Sequence, residues 1–475
     1  MHSLRLLSPV LFLCVALYAK ANNPDRLEAV KALVDAGRYR HAKVQIEKLL
    51  QTAEAPTLRR QLAFEAERMR RIERDFPQDY AALKASIRRY IPDAREEEIR
   101  DWDRAEWLEF KQIDGERRYF RMAAYNLLQL SDQLAQRSAD FRGFAEKAPL
   151  YSLHSHHREV INAKAPLRNR IQVDYTLRVK PDAVPAGETV RAWLPFPIPL
   201  PGSQENIELL ASSPGRYQLA PPLQPQRTIY LEKTARAGEA TEFKIRYAFD
   251  SLSRHTVVDQ RRVQQLSKDG QLAPYLAERP PHIVFTPKLR ARSQHIVGDE
   301  YNSYRIAQKL FAHVDKIPWA SAREYSTIRN ISHYAAHAGH ADCGQQTLLL
   351  ITLMRMNGIP ARWQSGWEFS PGDFDTMHDW GEFYLEPYGW LPMDVTHGVL
   401  AGETESETWF YLGGLDAFRL VFNSDYSQPF LPEKQHFRSE TVDSQRGEVE
   451  WRGGNLYFDQ WNYDLEWQLV EAENR

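Results

Sequence analysis

A chain of 475 residues is long enough for roughly two to four domains, each with its own buried core. Hydrophobic residues make up 43% and charged residues 26%, the make-up of an ordinary soluble globular protein. The net charge of −2 argues against any general attraction to nucleic acid or to an anionic membrane surface.

The first residues carry an address. Arg5 supplies a short positive segment, residues 6–18 are mostly apolar, and Ala19-Lys20-Ala21 has the small-x-small form of a signal-peptidase site. Residues 1–21 are therefore read as a signal peptide, and the protein as exported to the periplasm or the extracellular space. The apolar run is too short to span a bilayer, and no later run qualifies, so no stable membrane insertion is expected after cleavage. Cys14 leaves with the signal. Cys343 remains as a lone thiol where disulfides are allowed, which points to a reactive role.

Residues 22–150 read as a helical domain. Leu27, Val30, Leu33 and Val34 recur at helical spacing, and Val44, Ile46, Leu49 and Leu50 begin a second helix that ends before Pro56. Residues 58–76 are read as a basic helix. Its arginines Arg59, Arg60, Arg68, Arg70, Arg71 and Arg74 alternate with Glu65, Glu67 and Glu73, a solvated face of ion pairs rather than a nucleic-acid patch. Asp114-Gly115 predicts a small hairpin over 111–120. His154, His156 and His157 are assigned to an exposed connector rather than to a metal site.

The pattern then changes. Strict alternation over 171–179, a second run over 189–195, and further runs over 228–233 and 242–249, separated by Pro- and Gly-rich turns, predict a β-sandwich domain over 166–255. The last domain is expected over 297–475. It opens with amphipathic helices at 304–317 and 325–337. His333 and His337 lie one helical turn apart with His340 nearby. The glutamate of an H-E-x-x-H motif is missing, so they are read as lining a cleft rather than binding metal.

The most informative stretch is Asp342-Cys343-Gly344-Gln345-Gln346-Thr347. An apolar run over 347–356 reads as a buried helix, stopped by Asn357-Gly358 and Pro360. Cys343 then sits at the helix N-terminus, where backbone N–H groups and the macrodipole favour a thiolate or a developing oxyanion. His378 opens an aromatic-rich strand, Pro387-Tyr388-Gly389 makes a turn, and Asp394 closes the return strand. A hairpin brings such positions together. Several tryptophans here are read as buried strand aromatics rather than as a substrate groove.

The Asp342-Cys343-Gly344 segment, the Asn357 to Arg362 segment, His378-Asp379-Trp380 and the Trp390…Asp394 segment together resemble the transglutaminase-like superfamily, a papain-like group. The resemblance implies a multidomain α+β protein. A helical N-terminal region and a β-sandwich middle domain would precede a transglutaminase-like α+β core with added C-terminal strands. It implies Cys343 as nucleophile, His378 as base and Asp394 as the group that holds the imidazole. Tyr325 and Trp319 are the candidate second oxyanion donors. The expected reaction is acyl transfer from an amide through a thioester, ended by water in a peptidase, amidase or deamidase. Cross-linking to an amine, an inactive binding or assembly module, and a carbohydrate-related protein are the alternatives. The expected partner is a peptide, protein or glycopeptide substrate, with no nucleic acid. No cofactor or metal is called for, because no EF-hand calcium loop is present.

Overall fold

A computed structural model describes residues 23–138, 153–266, 270–370 and 374–470. The expected signal peptide lies outside these. The chain forms two compact units, one within Met1–Ala85 and Leu108–Ala123, the other comprising Ser86–Trp107 and Ala124–Arg475. No helix among the described residues is long and apolar enough to cross a membrane.

In the first unit the helices Asn23–Asp35, Tyr39–Thr52 and Pro56–Asp75 bury Val30, Val34, Ile46, Leu62 and Ile72. The strands Phe110–Ile113 and Glu116–Tyr119 make the expected hairpin around Asp114-Gly115. The solvated-face reading of the arginines fails at two positions. Arg68 and Arg71 are buried, Arg68 between Glu65 (2.8 Å) and Asp35, Arg71 on Glu67 (3.0 Å). Alternating charge reveals pairing along one helix, but not which members turn toward a neighbouring helix.

The second unit holds two β layers around one core. One sheet is ordered Gly454–Leu456, Glu448–Trp451, Thr189–Pro195, Thr228–Thr234, Tyr217–Leu219. The other is ordered Trp461–Leu469, Arg168–Val179, Thr241–Leu252, Gln204–Ser213. Inward residues alternate as strand periodicity requires: Ile171, Val173, Tyr175, Leu177 and Val179 are buried against Phe243, Ile245 and Val190. The strands after 447, read from sequence as an extension of the last domain, pair with this middle region. Glu448–Trp451 joins Thr189–Pro195, and Trp461–Leu469 joins Arg168–Val179. The strand Gln204–Ser213 was not foreseen. Its exposed outer residues and two register irregularities blur the alternation.

The connector histidines also differ from expectation. They lie in a helix, Leu153–Asn162, where His157 is buried with its ring 5.9 Å from Phe410. Val160 and Ile161 pack this helix against the core, an apolar contact that the histidines obscure in the sequence. The helix expected over 325–337 is split into a 3-10 turn, Tyr325–Thr327, and a helix, Ile331–His337, because Asn330 caps the latter through His333 N–H.

A four-stranded antiparallel sheet carries the candidate site, ordered Gly389–Met393, Phe374–Leu385, Ala361–Ser370, Arg419–Asn423. The helix Cys343–Met356 packs on it, and the helices Pro287–Val297, Ser303–Asp315 and Ile331–His337 complete that core. Leu348, Leu349, Ile351 and Leu353 are fully buried, each worth roughly 1.5–3 kcal/mol of transfer free energy. Trp367, Phe369, Leu420 and Phe422 from the same sheet join the sandwich core, so the sheet is packed on both faces.

Candidate active site

Cys343 is placed by its helix. Asp342 is the N-cap: its side chain accepts from Gln345 N–H at 3.0 Å, and Gln345 Oε1 accepts from Asp342 N–H at 3.3 Å. The helix ends where Gly358, at φ +76°, takes the left-handed conformation that a side chain would oppose. Gly344 follows Cys343 for a steric reason. A Cβ there would lie 2.2 Å from Tyr325 Oη and 2.6 Å from Asp379 Oδ2.

His378 and Asp394 are placed by the hairpin. Phe374–Leu385 pairs with Gly389–Met393 in the register Gly381↔Met393, which leaves Asp394 one step beyond the strand end and level with Trp380, two residues from His378 on the same face of the strand. His378 Nε2 bonds Asp394 Oδ2 at 2.8 Å, and both side chains are buried. Asp394 is fixed independently, through Thr396 N–H at 3.2 Å and its own N–H to Tyr411 O at 2.8 Å.

Behind this pair lies a polar cluster that no local motif announces. Arg419 Nη1 reaches the same Asp394 Oδ2 at 2.7 Å, and its Nε and Nη2 reach Asp416 Oδ2 at 3.1 and 2.9 Å. Arg419 Nη2 lies 3.3 Å from Glu368 Oε1, which also meets His397 Nε2 at 2.6 Å. Glu368 Oε2 has no hydrogen bond and lies 3.7 Å from His378 Nε2. Burial alone would raise the Asp394 carboxyl, but the charges of His378, Arg419 and His397 outweigh it and hold it well below the usual range. Against the same burial, Arg419, His397 and His378 bring Glu368 down to about 2. Burial disfavours charge on His397, yet Glu368 and Asp394 raise it above its ordinary value.

Glu368, His378 and His397 bring ligand-type atoms within 4.8 Å of one another, the one such group among the described residues. The donor set suits a metal poorly. Both Nε2 atoms already face carboxylates, and Arg419 supplies positive charge at the same oxygens. His333 and His337 stack on each other, ring centres 4.2 Å apart, and do not join such a group.

On its other side Cys343 lines a cavity of about 280 Å³, with Trp319, Tyr325, Asp342, Asp379 and Arg446. Its sulfur bonds Asp379 Oδ2 at 3.4 Å rather than the His378 ring. Asp379 Oδ1 accepts from Gln445 Nε2 at 2.9 Å, and Gln445 Nε2 also reaches His378 O at 2.8 Å. Burial, then Asp379 and Asp342, push the thiol well above its ordinary value. The helix N-terminus was expected to do the opposite. Enclosure of the sulfur and two neighbouring carboxyls outweigh a partial charge of about +0.5. Burial also raises Asp342 to about 6, and burial, then Asp443 and Asp342, push Asp379 well above its ordinary value.

Of the two oxyanion candidates, Tyr325 is buried with its hydroxyl donating to Asp342 Oδ1 at 2.8 Å, while Trp319 stands 42% exposed on the cavity rim. Most other tryptophans of this region, Trp363, Trp367, Trp380 and Trp461, are core residues. Sequence reasoning missed Glu368, Asp379, His397, Asp416 and Arg419. Asp379 and His397 stood beside motif residues and could have been flagged. Glu368 and Arg419 lie on strands whose pairing no local pattern discloses.

Residues 290–395 match the family model of the transglutaminase-like superfamily. No curated protein matches the chain. Among solved structures, the chain is similar to a candidate cysteine protease from Cytophaga hutchinsonii, at 16% identity and a TM-score of 0.44, covering 66% of this chain and 93% of that one. It is also similar to the periplasmic domain of TgpA from Pseudomonas aeruginosa, at 14% identity and a TM-score of 0.26, covering 55% and 96%. The helix that begins at Cys343 and the hairpin that pairs His378 with Asp394 lie within the matched segment, and residues 290–395 are accordingly a core of the transglutaminase-like superfamily.

Proposed function

We propose that the protein is an exported cysteine enzyme that opens amide bonds of peptides or proteins through a thioester on Cys343. The observation that carries this reading is the buried 2.8 Å bond between His378 and Asp394, in a core where Cys343, the one cysteine among the described residues, stands at a capped helix N-terminus. With Nε2 held by Asp394, Nδ1 is the ring nitrogen left to accept the thiol proton. The thiol must first exchange its bond to Asp379 for one to that ring. Cys343 Sγ then adds to the carbonyl carbon. The oxyanion is received by the backbone N–H at the helix start and by the Trp319 indole at the rim, since the Tyr325 hydroxyl is committed to Asp342. The imidazolium gives its proton to the leaving amine, the C–N bond breaks, and water hydrolyses the thioester.

The test is mass spectrometry of a peptide and glycopeptide library after incubation with wild type and Cys343→Ser. Chain cleavage or loss of ammonia with wild type alone supports hydrolysis. Amine-dependent cross-links would make the protein a transferase. Identical spectra for the two proteins would remove the reading.

A further inference from the structure

The charges of the side chains behind His378 do not cancel. Three carboxylates, Glu368, Asp394 and Asp416, face two cations, Arg419 and a His397 whose charged form Glu368 and Asp394 favour. The excess is one negative charge in a site closed to water, with every one of these residues nine-tenths or more buried. Such a charge is costly unless a cation meets it. The group it faces is His378: Glu368 Oε2, the one carboxylate oxygen of the three facing residues without a hydrogen bond, points at Nε2 from 3.7 Å.

We propose that Glu368 and Asp416, held by Arg419, are positioning residues that keep this cluster one charge short, so that a protonated His378 completes it. The inference rests on His378 being the base of the proposed reaction. When the thiol proton passes to the ring, the S–H bond breaks and an N–H bond forms. The new imidazolium then lies against an excess anion that was present beforehand, and the thiolate gains its counter-ion. On the sulfur side burial, and then the carboxyls Asp379 and Asp342, oppose ionisation. The cluster behind the ring is the device that offsets them. Tyr411, stacked on His397 with ring centres 4.6 Å apart, and Trp380, stacked on His378 at 5.8 Å, close the cluster without adding charge.

The experiment uses the full chain and iodoacetamide, following carboxamidomethylation of Cys343 by intact mass from about pH 6 to about pH 10. Glu368→Gln keeps shape and removes the charge; Glu368→Asp keeps the charge. The expected result is labelling at least about tenfold slower than wild type near neutral pH for Glu368→Gln, within about threefold for Glu368→Asp, and convergence of all curves at the alkaline end. A merely structural role would not bend the curve in this way. Asp416→Asn removes the same charge at a residue that does not touch His378, is expected to slow labelling likewise, and decides the matter if Glu368→Gln does not fold. Profiles for Glu368→Gln or, failing that, Asp416→Asn that overlay wild type would overturn the inference. His378→Ala separates the two failures. If it slows labelling while the charge variants do not, only this inference falls. If it leaves labelling unchanged, the base assignment falls with it.

Discussion

Cys343 and Asp379 are joined by a hydrogen bond, Sγ to Oδ2 at 3.4 Å, so the residue next to the proposed base is the one that holds the thiol. The thiol is kept neutral first by burial and then by Asp379 and Asp342. The geometry describes a thiol held neutral by its surroundings.

Asp379→Asn should release it. Removing a like charge lowers the thiol's ionisation point, so the thiolate fraction at neutral pH rises, about tenfold for each pH unit. The rate of iodoacetamide labelling of Cys343 near neutral pH measures this directly. A rate equal to or below wild type would show that Asp379 does not restrain the sulfur.

Gly344→Ala should damage the site without unfolding the protein. The new Cβ would press on Tyr325 Oη and Asp379 Oδ2. Overpacking of this kind costs about 1–3 kcal/mol. A modest drop in melting temperature, with altered labelling of Cys343, is the expected pair of results.

Leu353→Ala removes a fully buried side chain from the helix that carries Cys343. The expected loss is about 2–5 kcal/mol, read from urea unfolding. Arg419→Met should cost about 3–5 kcal/mol, because Asp394, Asp416 and Glu368 would stay buried without their shared cation.

The acid cluster by the cavity sets a pH dependence. Burial first, and then Asp443, raise Glu440 from 4.5 to about 8. A carboxyl raised on folding favours the protonated native state. Its contribution is complete below 4.5 and is lost as the pH climbs through about 8. Stability by chemical unfolding should therefore decline across that window. Glu440→Gln, which cannot ionise, should flatten the decline.

The sequence disclosed what local chemistry encodes. The Cys343 helix was legible from its cap at Asp342, its apolar run and its Asn357-Gly358 stop. The hairpin was legible from the Pro387-Tyr388-Gly389 turn, and the strand Thr189–Pro195 from its residues alone. What stayed hidden depends on partners distant in the chain. Arg419 meets Asp394 only because Arg419–Asn423 pairs with Ala361–Ser370, and Asp379 turns toward Cys343 only once the helix is docked. The thiol's ionisation was misjudged for the same reason. A helix terminus can be read in a motif, whereas enclosure by side chains from several elements cannot.

The pairing of Trp461–Leu469 with Arg168–Val179 has a further consequence. The strands of the sandwich come from both sides of the Cys343 segment in the chain, so that segment is an insert within another fold. During synthesis the earlier strand must wait, one edge bare, until the later one is made. Contacts of such long sequence separation fold slowly. Cutting the chain between the sandwich and the Cys343 region would therefore not free a smaller self-sufficient domain. It would leave a sheet with an open, sticky border.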